Sequence, residues 1–113
     1  MTLIEKRQHE RTTCEISSSF KNLSTSGHSS LLETTVQDIS GGGIRFRSNQ
    51  FIPIQNRLSF TLNIPKKKPI AVIAQPMWIK EIPQLSQYEI GARFLMLSDE
   101  DKTLIQELHR PTL

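Results

Sequence analysis

Three successive glycines follow an aspartate and a serine at residues 38–43, D-I-S-G-G-G, which we call the glycine corner. An apolar run precedes it and the alternating run I-R-F-R at residues 44–47 follows, so the corner predicts a tight connection between two strands. Glycine tolerates unusual backbone conformations and lets another backbone or a ligand approach closely. Asp38 and Ser40 can hydrogen-bond the turn itself or something lying above it. These residues alone leave two interpretations open, a plain hairpin turn or one wall of a binding site.

Alternating segments on both sides of the corner predict a chain built mainly of β-strands. Residues 57–64, R-L-S-F-T-L-N-I, alternate strictly between polar and apolar side chains and give the clearest strand signal. Further strands are expected at residues 14–20, 31–39, 44–47, 70–80 and 88–94. Pro76 implies an edge position or a bulge in its strand. Ser98, followed by three acidic residues, predicts the N-cap of one C-terminal helix of about ten residues.

This pattern predicts a mainly β fold, a small six-stranded antiparallel β-barrel with one C-terminal α-helix. Closure of the barrel also removes exposed sheet edges. A chain of 113 residues can bury one modest core. We therefore expect a single domain with a flexible, polar N-terminal arm at residues 1–13, the barrel at residues 14–97 and the helix at residues 98–110.

Composition excludes several classes of protein. The net charge of +3 favours an anionic partner without specifying one. The single cysteine cannot form an internal disulfide, and no cysteine and histidine residues have zinc spacing. No apolar run resembles a signal peptide or approaches the roughly 18 residues of a membrane span. The expected protein is soluble, cytoplasmic and not inserted in a membrane.

Two arginines near the start of the chain, Arg7 and Arg11, provide a second chemical feature. The guanidinium group pairs bidentately with phosphate oxygens or with the O6 and N7 edge of guanine, and its flat face can stack on a base. Asp38 can accept hydrogen bonds from guanine or orient an arginine, and Ser40 offers a small donor and acceptor. This set suits a compact ligand with guanine and phosphate groups. No nucleophile lies beside an evident base, so we expect no catalytic residues, no metal and no cofactor.

The sequence resembles a PilZ domain, the bacterial receptor module for cyclic di-GMP. That family has the signature R-x-x-x-R near its N-terminus, which Arg7 and Arg11 match. Its second signature, D-x-S-x-x-G at a strand turn, is matched by Asp38, Ser40 and Gly43. Each signature alone is weak, but the two in this order, followed by the predicted strands and helix, are a specific combination. The resemblance covers nearly the whole chain.

The resemblance implies that the arm folds over the mouth of the barrel to complete a cyclic di-GMP site. Arg7 and Arg11 would hold phosphate and guanine edges. Asp38 and Ser40 would contact a guanine or organise these arginines, and Gly43 would keep the turn low enough for a base to lie across it. Binding would order the arm, and this ordering would be the output signal.

Two further residues carry a ligand role only by resemblance. Lys6 precedes the first arginine and is basic, as in many relatives that bind an intercalated pair of ligands, so it favours two ligands over one. Trp78 lies where some members place an aromatic side chain near a guanine, although a buried tryptophan is also a common core residue. For Arg45 and Arg47, which alternate outward, the sequence leaves ligand contact and plain solvation open.

The expected function is that of a non-enzymatic cyclic di-GMP receptor that signals in trans to an unidentified downstream protein, because no effector domain fits within this length. One alternative is an interaction adaptor of the same fold that does not bind nucleotide. Another is a small barrel that binds single-stranded nucleic acid, which needs exposed aromatic side chains. The aromatic residues here follow core alternation, so no nucleic-acid partner is expected.

Overall fold

The computed structural model describes residues 12–24 and 31–107, and within the first strand it describes side chains from Ile16 onward. The elements are β1 (Thr12–Asn22), β2 (Leu32–Ile39), β3 (Gly43–Ser48), β4 (Leu58–Leu62), β5 (Ile70–Ile82), β6 (Gln87–Met96) and α1 (Asp99–Glu107). The strands pair in the order β1-β2-β3-β6-β5-β4 and close into an antiparallel barrel. The predicted six-stranded barrel with one C-terminal helix is confirmed. Residues 1–11 of the predicted flexible arm lie outside the described residues. The arm boundary predicted at residue 13 is wrong, because Thr12 and Thr13 already pair with β2 as part of β1.

The alternation in the sequence places one face of each strand inside the barrel. Three phenylalanine rings meet at its centre, Phe20 from β1, Phe46 from β3 and Phe60 from β4, with centroids 4.8 to 5.3 Å apart. Each ring is fully or almost fully buried. Burying one such side chain stabilises a fold by about 1.5–3 kcal/mol, so this cluster is a major source of barrel stability.

Aliphatic side chains complete the core around these rings. The buried hydrophobic residues are Ile16, Phe20, Val36, Ile39, Ile44, Phe46, Ile52, Leu58, Phe60, Leu62, Ile64, Ile70, Val72, Ala74, Ile90, Ala92 and Ile105. Ile105 comes from α1, and Leu104 of the same helix packs against the core from a partly buried position. The amphipathic spacing read from the sequence therefore attaches α1 to the barrel.

The proline in β5 lies at an irregular part of the sheet. The β5–β6 register shifts between Pro76 and Trp78, which marks a bulge. The ladder between β4 and β5 ends at Ala74, so within the described residues Pro76 has a strand neighbour on one side only. The sequence implied a bulge or an edge position for Pro76, and both occur here. Proline has no backbone N–H, and on the side of Pro76 without a strand neighbour no such donor is needed.

The β5–β6 hairpin is longer than its sequence pattern predicts, since the strands run to Ile82 and begin again at Gln87. A single 3-10 turn at Pro83–Leu85 joins them. Ser86 closes this turn in the left-handed conformation, with φ 53°, and its N–H donates to the carbonyl of Pro83. Because Pro83 can begin such a turn, the chain reverses with few unpaired residues.

Candidate functional site

The glycine corner joins β2 to β3 and is held by three hydrogen bonds. The N–H of Ser40 donates to the carbonyl of Gly43 (2.9 Å), and the N–H of Gly42 donates to Oγ of Ser40 (3.2 Å). The N–H of Phe94 in β6 donates to the carbonyl of Gly42 (2.9 Å). Ser40 is 4% exposed, so its hydroxyl accepts the hydrogen bond from Gly42 within the turn from a buried position. The corner is thus fixed to β6 as well as to its own hairpin.

Gly43 is required by the close approach of β3 to β6. A Cβ atom at this position would collide with the carbonyl oxygen of Ala92 and would lie 3.1 Å from the Cα of Arg93. These are backbone atoms of a paired strand, so they cannot move aside cheaply. The sequence anticipated that a glycine here admits another backbone or a ligand, and the neighbour in the structure is a backbone. The expected role of Gly43 toward a base stays a prediction.

Asp38 forms an ion pair with Arg45, which lies opposite it on the neighbouring strand. Nε of Arg45 donates to Oδ2 of Asp38 at 2.8 Å, and Nη1 of Arg45 donates to Oε2 of Glu89 at 3.0 Å. The side chain of Asp38 is 10% exposed and that of Glu89 is 17% exposed. One guanidinium group therefore connects carboxylates from β2 and β6 across the outer face of β3.

The charge on Arg45 is stable in this environment. The hydrogen bond to Asp38 is the main cause that raises the pKa of Arg45 above its ordinary value, and Glu89 adds to it, while burial opposes it. A cation with a raised pKa keeps its partners below that value and loses them only above it. Arg45 therefore remains a cation across the physiological pH range and would lose its charge only in strongly alkaline solution.

Arg47 lies one step further along the same face and is less fully engaged. Its Nε is 3.9 Å from Oε2 of Glu89. This nitrogen is buried, yet it has no hydrogen-bond acceptor among the described residues. The side chain as a whole is 38% exposed, so the rest of the guanidinium group meets solvent. Of the two outward arginines, Arg45 donates hydrogen bonds to two carboxylates of the barrel, whereas Arg47 retains N–H donors for another group.

Trp78 lies against the backbone of β6, because Gly91 has no side chain to keep it away. A Cβ atom at Gly91 would collide with Nε1 and Cε2 of the indole and would lie 2.7 Å from its Cζ2. The indole is not a core residue, since Trp78 is 42% exposed. The core alternative considered for this residue is therefore wrong, whereas its contact with a guanine stays a prediction.

These side chains form one row across four strands, which we call the outer row. Trp78 of β5 pairs with Gly91 of β6, Gly91 pairs with Arg45 of β3, and Arg45 pairs with Asp38 of β2. At the usual spacing between strands, the row extends over about 14 Å. An aromatic face, a guanidinium group and a carboxylate thus lie side by side next to the glycine corner.

The chain enters the barrel beside this corner. Thr12 is the first described residue, and it pairs with Ile39, the neighbour of Ser40. Lys6, Arg7 and Arg11, the site residues expected in the arm, lie outside the described residues. Of the expected set, the structure describes Asp38, Ser40, Gly43 and Trp78, and it brings all four to the corner and the outer row.

Two residues of this surface were missed by sequence reasoning. Glu89 and Gly91 belong to the segment Y-E-I-G-A-R-F, whose alternation predicts that both face away from the core. That signal could have placed Glu89 on the outer face. It could not identify Arg45 as the partner, because alternation reveals which face a residue occupies but not which strand lies next to it.

A separate cleft of about 380 Å³ lies along β2 and β3, beyond the point where their pairing ends. It is lined by Phe20, Leu32, Glu33, Thr34, Thr35, Gln37, Arg47, Ser48, Asn49, Gln50 and Gln87. The hydroxyl of Thr34 donates to the carbonyl of Arg47 (2.6 Å), so one side chain still joins the two strands. None of the four described site candidates lines this cleft. Arg47 lines it and also lies 3.9 Å from Glu89, the residue that binds Arg45 of the outer row.

Within the described ranges, no helix combines the length and apolar character that crossing a bilayer requires. The same ranges contain no group of three or more His, Cys, Asp or Glu side chains that could hold a metal ion.

Comparison with known proteins decides the family. The family model described as the PilZ domain matches residues 5–109. The chain belongs to the PilZ domain family. No curated protein sequence matches it. The match spans both signatures, the N-terminal arginine pair and the glycine corner, and so confirms the resemblance read from the sequence.

Several solved structures share the fold of this chain at low sequence identity. Bacillus subtilis inhibitor of motility (MotI/DgrA) has a TM-score of 0.76 at 16% identity, over 96% of this chain and 55% of that one. Escherichia coli YcgR in complex with c-di-GMP has a TM-score of 0.71 at 18% identity, over 94% of this chain and 45% of that one. The K. pneumonia MrkH–c-di-GMP complex has a TM-score of 0.70 at 17% identity, over 95% of this chain and 52% of that one. The chain thus spans about half the length of these three proteins.

Proposed function

We propose that this PilZ protein is a non-enzymatic receptor for cyclic di-GMP. The observation that carries the proposal is the position of Thr12, which directly follows Arg11 in the sequence and pairs with Ile39 next to Ser40 of the glycine corner. The family assignment supports it, as does the presence of c-di-GMP in the structures of the neighbours YcgR and MrkH.

Chain geometry allows both arginines to reach the corner. Arg11 precedes Thr12 directly, and Arg7 is five residues from it, a span of at most about 17 Å in an extended chain. Their guanidinium groups would bind the phosphates and the guanine edges. Asp38 and Ser40 would contact a guanine or organise these arginines, and a base would lie low across Gly43.

Trp78 and Lys6 refine this proposal. The exposed face of the indole offers a stacking surface at the far end of the outer row, where a guanine could lie next to Arg45. Lys6 adds a positive charge that favours an intercalated pair of ligands over a single one. The stoichiometry of a calorimetric titration distinguishes these cases, with two ligands per chain expected.

Binding is tested by isothermal titration calorimetry with cyclic di-GMP. The wild-type protein should bind saturably, and Arg7→Ala or Arg11→Ala should abolish binding while the barrel keeps its circular dichroism spectrum. Arg57→Ala is the matched control, since Arg57 is exposed and its backbone N–H and carbonyl form hydrogen bonds with Ser24 and Leu23. No binding by the wild type, with an intact barrel, would favour the adaptor interpretation instead.

The proposed output is an ordering of the arm that a downstream protein recognises in trans. A polar segment with little apolar area cannot offset its ordering entropy, whereas bidentate contacts to a dianion can. Heteronuclear NMR relaxation of residues 1–11 should therefore report fast motion without ligand and rigidity with it. An arm that is equally rigid in both states would rule out this mechanism.

A further inference from the structure

Glu89 of β6 binds the guanidinium group of Arg45, the central side chain of the outer row. Its carboxylate accepts a hydrogen bond from Nη1 of Arg45 at 3.0 Å, while Nε of the same guanidinium group donates to Asp38 at 2.8 Å. The guanidinium plane is rigid, so fixing one edge fixes the direction in which the other edge points. The orientation of the Asp38 carboxylate is thereby linked to a residue two strands away.

We propose that Glu89, acting through Arg45, determines the selectivity of the site for guanine by holding the Asp38 carboxylate in one orientation. The proposal rests on the function proposed above and adds a positioning residue that does not itself touch the ligand. Both carboxylates are largely buried, with side chains 10% and 17% exposed, so their hydrogen bonds to Arg45 lie in a poorly solvated position.

The chemistry of the guanine edge explains why orientation matters. Guanine presents two adjacent donors, N1–H and the N2 amino group, and a carboxylate reads both when its plane is aligned with the base. A carboxylate that rotates still accepts one of these bonds but loses the second. Hypoxanthine keeps N1–H and lacks the amino group. A preference for guanine over hypoxanthine therefore measures how well the carboxylate is aimed.

Arg45 is held from both sides only while Glu89 is present. Arg47 cannot take over this role, because it is also cationic and is itself 3.9 Å from the same Glu89 oxygen. Lys80, which pairs with Glu89 across β5 and β6, is cationic as well. Among the described residues, Glu89 is thus the acceptor that binds Arg45 on the side away from Asp38.

The test compares the affinity for cyclic di-GMP with that for cyclic di-IMP, which differs only by lacking the two N2 amino groups. Removing a carboxylate also removes a negative charge and strengthens the attraction of any anionic ligand. This effect acts equally on both ligands, so it cancels in their affinity ratio. The ratio therefore reports positioning rather than charge.

Two substitutions of Glu89 separate the loss of its hydrogen-bond acceptor from the loss of its charge. Glu89→Ala removes the acceptor, and we expect the preference for cyclic di-GMP to fall about tenfold. Glu89→Gln removes the same charge but keeps an amide oxygen that can accept from Arg45, so it should retain the preference to within about twofold. Glu81→Gln, an exposed side chain on β5, is the control for charge alone and should leave the ratio unchanged.

Arg45→Lys provides a second route if Glu89→Ala does not fold, as judged by circular dichroism. Lysine keeps the positive charge but lacks the planar fork that joins the two carboxylates, so the preference should again fall about tenfold. An unchanged ratio in folded Glu89→Ala or Arg45→Lys would overturn the inference while leaving the receptor function intact. A wild-type protein that does not bind cyclic di-GMP would overturn both.

Discussion

At the scale of single residues, the outer face of the barrel depends on how Asp38 is neutralised. Its carboxylate is 10% exposed and its side-chain partner across the hairpin is Arg45. A buried carboxylate without a partner would be costly, because desolvation disfavours its charge. Asp38 therefore has a structural role in addition to the ligand contact proposed for it.

We expect Asp38→Asn to lower the free energy of unfolding by about 1–2 kcal/mol, because it loses a charge-assisted hydrogen bond in a poorly solvated position. Urea denaturation followed by circular dichroism measures this loss. The control is Glu81→Gln, which removes one negative charge from an exposed side chain. Identical midpoints for the two variants would show that the Asp38–Arg45 pair contributes nothing to stability.

At the same scale, the sequence identified some site residues and not others. Asp38, Ser40 and Gly43 lie within a segment of six residues, so their spacing was enough to identify a corner. Glu89 is 44 residues from Arg45, and only the barrel closure brings them together. Short-range motifs can be read from a sequence, whereas a pair joined by tertiary pairing cannot.

At the scale of elements, two glycines of the barrel wall face different neighbours. At Gly43 a side chain would meet the backbone of β6, and at Gly91 it would meet the indole of Trp78. A backbone in a paired strand is rigid, whereas an exposed indole can move outward.

We therefore expect Gly43→Ala to lower the free energy of unfolding by about 2 kcal/mol and Gly91→Ala by less than about 1 kcal/mol. Gly91→Ala should instead move the fluorescence emission of Trp78 to longer wavelength, since this single tryptophan would become more exposed. Urea titrations monitored by circular dichroism and fluorescence test both effects. Equal losses of stability, with unchanged emission, would contradict this account of the wall.

The helix α1 begins with a cap that the sequence predicted. Oγ of Ser98 accepts a hydrogen bond from the N–H of Asp101 at 3.0 Å. Ser98→Ala should lower the free energy of unfolding by about 1 kcal/mol, as expected for loss of an N-cap. Gln106→Ala is the control, because Gln106 is exposed within the same helix. A Ser98→Ala variant as stable as this control, by thermal denaturation, would mean that the cap does not contribute.

Strand positions and faces were largely predictable, but pairing register was not. Alternation at residues 57–64 correctly indicated β4, and Pro76 correctly indicated an irregular strand. The register shifts in β1, β2, β5 and β6 could not be read, because a bulge depends on the strand opposite it. The β5–β6 hairpin exceeded its predicted length for the same reason, since pairing continued past the alternating segment.

At the scale of the whole molecule, the proposed site combines a rigid wall with a separate segment. The corner is fixed to β6, and the outer row joins four strands through paired backbones. The arginines would come from the arm, which enters at Thr12. On this account the barrel selects the base and the arm binds the phosphates, so ligand binding joins the two parts.

Mapping of ligand-induced NMR shifts tests this central claim most directly. Addition of cyclic di-GMP to the labelled protein should shift the backbone amides of residues 40–43, the Nε–H of Arg45 and the indole N–H of Trp78, together with amides of residues 6–11. Shifts confined to the cleft around Asn49 and Gln87, or no shifts in the presence of excess ligand, would contradict it.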